Sequence, residues 1–98
     1  MPVHLTPRER QHLKARAHDL EPRVRVGHAA LTDAVIAEID RTLTAHELIK
    51  VRIDAPEREA RAALAEQICT RVGAAEVQRV GKVVVLWRPA PEDVTPED

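Results

Sequence analysis

The chain has 98 residues and a mass of 10.9 kDa, with 44% hydrophobic residues, 32% charged residues and a net charge of −1. Fifteen of the 43 hydrophobic residues are Ala, and the bulky aliphatics (12 Val, 8 Leu, 5 Ile) suffice for one small core, so a single domain is expected. No apolar run approaches the ~20 residues of a membrane span, the start MPVHLTPRER has no signal-like apolar stretch, and the lone Cys69 excludes an internal disulfide or a cysteine zinc cluster. The chain reads as cytoplasmic, with no membrane contact.

Thr6-Pro7-Arg8-Glu9 is a helix start, with Thr as N-cap, Pro at the first helical position and Glu three residues after the cap. That helix should bury Leu13, Ala17 and Leu20 and end before Pro22, while Arg10, Lys14 and His18 form a separate stripe. Arg23-Val24-Arg25-Val26 alternates as a short strand and stops at Gly27. Thr32 caps a second helix with Val35, Ile39 and Leu43 inside, and Leu48 to Ile53 follows as a strand. Ala55-Pro56 opens a third helix, with Ala60, Leu64 and Ile68 inside, which closes at Gly73. Ala75 to Val80 and Val83 to Arg88 flank a Gly81-Lys82 hairpin turn. Residues 1–89 therefore form the domain. The acidic, Pro-rich 90–98 cannot build a packed element and reads as a disordered tail.

The order α-β-α-β-α-β-β predicts an α/β (α+β) domain, a two-layer fold with a mixed four-stranded sheet. Its two crossovers imply parallel strand pairs and its hairpin an antiparallel one. The last ten residues hold four acids and no base, which leaves residues 1–88 at +3 and hints at an anionic partner. Arg23, Arg25, Lys50 and Arg52 alternate with Val24, Val26, Ile49, Val51 and Ile53, so helices covering the apolar side would leave these cations, together with Arg88, on the other. Alternation does not say whether the first helix also crosses that face.

Catalytic chemistry finds no support. Cys69 sits beside Ile68 on the buried side of its helix with no base supplied, and the chain contains no Ser. The five His form no i,i+4 pair, and Glu57, Glu59 and Glu66 lie solvated on an Arg-rich helix. No metal or cofactor is expected. Trp87 is the sole aromatic and reads as packing on the last strand, so no multi-aromatic platform for stacking bases is available. Nucleic-acid binding would have to use phosphates, riboses and shape. The turn Val26-Gly27-His28-Ala29-Ala30 leads into a helix N-terminus, a weak anion site by position.

Several runs together resemble the YhbY family, the single-domain bacterial form of the CRM (chloroplast RNA splicing and ribosome maturation) domain. They are Gln11-His12-Leu13-Lys14 with Ala17-His18, Gly27 with Leu31-Thr32, Glu38-Ile39, His46-Glu47-Leu48-Ile49-Lys50-Val51, Gly81-Lys82 and Val85-Leu86-Trp87-Arg88-Pro89, spanning about residues 5–89. The resemblance implies a fold similar to the C-terminal domain of translation initiation factor three, and an RNA-binding protein of large-subunit ribosome assembly. It also implies a Gly-x-x-Gly loop like that of KH domains. Here the second glycine is replaced by Ala30, whose Cβ costs about 1–2 kcal/mol if positive φ is required. Trp87 stands where a tyrosine is common in the family.

The expected function is thus non-enzymatic binding of RNA, in particular large-subunit ribosomal RNA or its precursor, by a monomer that also meets ribosomal proteins. The alternative is a protein-interaction module of the same fold docking on a ribosomal or assembly protein. The candidate RNA contacts are Lys14, Arg25, Gly27, His28, Ala29, Lys50, Arg52 and Lys82.

Overall fold

A computed structural model describes residues 4–27 and 31–89. The expected loop residues His28, Ala29 and Ala30 and the expected tail 90–98 lie outside the described residues. In chain order the elements are α1 (Pro7–Ala17), β1 (Pro22–Val26), α2 (Asp33–His46), β2 (Leu48–Ile53), α3 (Arg58–Val72), β3 (Ala75–Val80) and β4 (Val83–Trp87).

Local chemistry sets most of the boundaries. The Thr6 hydroxyl accepts from Glu9 N–H at 3.1 Å while the Glu9 carboxylate accepts from Thr6 N–H at 2.9 Å, a complete capping box. The Thr32 hydroxyl accepts from Val35 N–H. Gly73 ends α3 at φ 67°, ψ 40°, the left-handed conformation that glycine adopts without a Cβ penalty. Gly81 turns the β3–β4 hairpin at φ 58°. Between α2 and β2 a single residue, Glu47, makes the whole connection at φ 64°, ψ −45°. Its N–H donates to Leu43 C=O and its own C=O accepts from Arg88 N–H.

The sheet order is β1-β2-β4-β3. β1 and β2 pair in parallel, and β4 is antiparallel to both of its neighbours. This corrects the expectation of two parallel pairs: β2 and β3 run in the same direction but do not touch, because β4 lies between them. The composition of β4, Val-Val-Val-Leu-Trp, matches that place, since a central strand covered on both faces reads as a continuous apolar run.

Two cores share the sheet. On one face α2 and α3 bury Ile39, Leu43, Ala65 and Ile68 against Val24, Val26, Ile49, Val51, Ile53, Val84 and Leu86. On the other, α1 packs Leu13 and Ala17 on Leu48, Val77 and Val85, flanked by half-buried Leu20 and Trp87. The helices therefore lie on both sides, and α1 extends the expected two layers with a partial third. The buried stripe of α3 is Ala65, Ile68, Cys69 and Val72, and Ala60 is exposed. Steps of four rotate ~40° round a 3.6-residue helix, so Ala60 has left the core by the time Ile68 enters it. Ala55, expected to open this helix, is instead a core residue ahead of it.

Candidate nucleic-acid interface

The strand register aligns the cations into rows. On the face carrying α1, one row across β1, β2, β4 and β3 reads Pro22, Lys50, Val85, Gln78, and the next reads Arg25, Arg52, Val83, Val80. The row beyond Lys50, Leu48 and Trp87, lies in the apolar core with α1. Successive rows are ~7 Å apart and neighbouring strands ~4.8 Å. Covering one row leaves two open, and the edge of α1 forms a groove of about 500 Å³ over them. Its lining includes Lys14 of α1, His18 at the C-cap of that helix, Glu21 (the one carboxylate of the lining), Lys50, Gln78, and an apolar floor of Val80, Val83 and Val85.

Four of the expected contacts thus share one surface: Lys14, Lys50, Arg52 and Arg25. Lys82 stands on the hairpin tip at the Arg52 end, where its carbonyl accepts from Ile53 N–H at 2.7 Å. Gly27 follows β1 at the same end and is exposed, with nothing within 4 Å of where a Cβ would stand. Lys14, Lys50 and Lys82 are the chain's only lysines, and none forms an ion pair among the described residues.

The two arginines are held differently. Asp54, one residue past β2, accepts from Arg25 Nε at 2.6 Å through one carboxylate oxygen and from Arg52 Nε at 2.8 Å through the other. The hydrogen bond from Arg25, then that from Arg52, holds the Asp54 carboxyl below its ordinary value. Two guanidiniums and one carboxylate leave this cluster at +1, not +2.

Arg88 departs from the expectation. It lies on the α2–α3 side, donating to Asp40 Oδ1 at 2.7 Å, Asp40 C=O at 3.0 Å, Thr44 Oγ1 at 2.9 Å and Val72 C=O at 2.8 Å. It ties the end of β4 to two helices and has no place on the cation surface. Arg10 likewise leaves its stripe, donating to the carbonyls of Glu76 and Val77 at the β3 bulge. At the α2 N-terminus, Thr32 occupies the Val35 N–H and the Asp33 carboxylate stands exposed in the first turn, which weakens the pull on an external anion.

Residues beyond the expected set join the interface. His18 and Gln78 line the groove, and Arg16, Arg23 and His46 gather beside Leu20 and Leu48 in an adjoining depression of about 150 Å³. The stripe Arg10-Lys14-His18 and the alternation of Arg23 carried part of this signal. What they lacked was the side of the sheet on which α1 lies. Cys69 is buried and its thiol is pushed up to about 11, chiefly by desolvation, the state of a core residue. Among the described residues no three His, Cys, Asp or Glu side chains gather as metal ligands, and no helix is long and apolar enough to cross a membrane.

A mixed four-stranded sheet with three helices and a lysine-edged groove on one face defines a small α/β binding domain. The CRS1/YhbY (CRM) domain matches residues 5–88, and the chain belongs to that family. It is 41% identical over 88 residues to an RNA-binding protein of Haemophilus influenzae, covering 90% of this chain and 89% of the relative. To a probable RNA-binding protein of Pseudomonas aeruginosa it is 36% identical over 90% of this chain and 85% of that one. The solution structure of a Staphylococcus aureus hypothetical protein, described as a candidate RNA-binding protein, superposes with a TM-score of 0.82 at 28% identity, over 93% of this chain and 95% of that one.

Proposed function

We propose that this protein is a non-enzymatic, cytoplasmic RNA-binding factor that docks as a monomer on ribosomal RNA of the large-subunit precursor. The observation that carries the reading is the open double row on the α1 face, where Lys50 and Lys14 stand without carboxylate partners among the described residues and Arg25 and Arg52 extend the same surface. The RNA-binding names of the relatives and the family membership support the partner class. Free ammonium groups on a half-open surface release counterions when they meet phosphates, a term that favours RNA of any sequence. Gly27, His28, Ala29 and Lys82 would extend the contact past the end of β1 and the hairpin tip.

The test is salt-dependent binding to fragments of large-subunit ribosomal RNA. Log affinity should fall linearly with log salt, and Lys14→Gln or Lys50→Gln should each lower the slope by about 0.7–0.9. Arg52→Gln takes the Asp54 cluster from +1 to 0 and should lower the slope by a similar amount. Absence of binding to any large-subunit fragment would overturn the reading, and capture of a ribosomal protein in its place would favour a protein-docking module.

A further inference from the structure

The α1–sheet groove has more than charge. Its floor is Val80, Val83 and Val85, and Val80, 60% exposed, is the only large hydrophobic side chain left in solvent among the described residues. An apolar floor is of no use to a surface that meets only phosphates. The register sets Val85 between Lys50 and the groove's one side-chain amide, Gln78, in one row, and Val83 between Arg52 and Val80 in the next. His18 adds the only imidazole of the lining, a π-face in a chain whose single indole, Trp87, is half-buried against the α1 core. The volume of about 500 Å³ is in the range of small-molecule sites and is open along one side.

We propose that this groove seats one unpaired RNA nucleotide, its base on the Val80–Val83–Val85 floor with an edge toward Gln78, and its phosphate between Lys14 and Lys50. The inference rests on the RNA-binding reading and adds to it a preference for a single-stranded or bulged element. A base in a duplex is stacked and paired and cannot enter a groove of this kind, whereas a splayed base can. A primary amide offers one acceptor and two donors, so it can also discriminate among base edges. The apolar floor and the amide argue against an acidic peptide, which would use the lysines alone.

The experiment measures binding of fluorescein-labelled ten-nucleotide homopolymers (A, C, U) and of a blunt RNA duplex by fluorescence anisotropy at fixed salt, for the wild type, Gln78→Leu, Val80→Ser and Lys50→Gln. Thermal melting checks each fold, and Val80→Ser, at an exposed position, is the variant least able to disturb it. The expected result is tighter binding of one homopolymer than of the others. That preference should fall by about two- to tenfold, the range of one net hydrogen bond, in Gln78→Leu. Val80→Ser should weaken all the homopolymers, and neither change should alter duplex binding. Lys50→Gln should weaken homopolymers and duplex alike. If Lys50→Gln weakens RNA binding while Gln78→Leu and Val80→Ser leave every single strand unchanged, the nucleotide seat is wrong and the RNA reading stands. If no RNA binds, both fail. A decaglutamate peptide that displaces the preferred homopolymer as well as an unlabelled copy of that homopolymer does would reduce the groove to an unselective anion surface and overturn the proposal.

Discussion

Asp54→Asn should strengthen RNA binding while it weakens the fold. The carboxylate holds Arg25 and Arg52 through separate oxygens at 2.6 and 2.8 Å, so the cluster meets a phosphate with a charge of +1. Asparagine has nearly the same shape and raises that charge to +2. One further counterion released on binding steepens the log-affinity slope by about 0.7–0.9. Between about 50 and 200 mM salt, a fourfold change, the variant's advantage over the wild type should therefore shrink by roughly threefold. Stability moves the other way. Since the Asp54 carboxyl is held below 3.8, its contribution to folding is complete above the unfolded value and is lost as pH falls through the lower folded one. The variant should melt below the wild type at neutral pH, and the two curves should converge as pH falls through the lowered folded value of Asp54. Anisotropy titrations at several salt concentrations, with melting followed by circular dichroism, read both effects. A variant that melts cooperatively but binds RNA more weakly, with an unchanged slope, would refute the reasoning: the pinned geometry of the guanidiniums, and not their net charge, would then be what RNA uses.

Arg88→Ala should lower stability by about 2–4 kcal/mol in urea titration, because it removes a largely buried guanidinium that bonds Asp40, Thr44 and Val72, and the salt slope for RNA should not change. Glu47→Gly should raise stability by about 1 kcal/mol, since φ 64° with ψ −45° disfavours any residue with a Cβ; a lower urea midpoint would show that the Glu47 side chain contributes more than its backbone strain costs. Burial raises the Cys69 thiol from 9.0 to about 11, so across that interval the unfolded chain loses its proton first and stability falls as pH rises. Cys69→Ala should flatten this decline in alkaline denaturation curves.

Features written in adjacent residues were legible before any coordinates. Thr6, Pro7 and Glu9 specify a capping box, Gly73 a helix end and Gly81-Lys82 a two-residue turn, and each occurs where the local chemistry places it. The alternation of Arg25, Lys50 and Arg52 with buried valines and isoleucines likewise gave the correct faces. Two failures are local, the start of α3 at Ala55 and its phase at Ala60, and the rest are long-range. Nothing near Val83 says that β4 inserts between β2 and β3, although its unbroken apolar run was a clue to a covered central strand. The side taken by α1 depends on Leu13 and Ala17 finding Leu48 and Val85, contacts more than thirty residues apart, and without it His18 and Gln78 could not be joined to Lys50. Asp54 drew no expectation from the sequence, and its hold on two arginines shows only once β1 and β2 are in register.

The position of β4 also sets when the protein can exist. Among the described residues the strand furthest along the chain is a middle strand of the sheet, and β1–β2 and β3 share no backbone ladder until it arrives. A chain emerging N-terminus first at about 5–20 residues per second can form its capped helices early, yet it has no complete sheet until Val83–Trp87 is free to slot in. Val83 and Val85 are also part of the groove floor, so the groove is completed by the same event. Folding is in this sense a proofreading of length: a chain cut before Val83 lacks the sheet's middle strand and two of the groove's floor residues together.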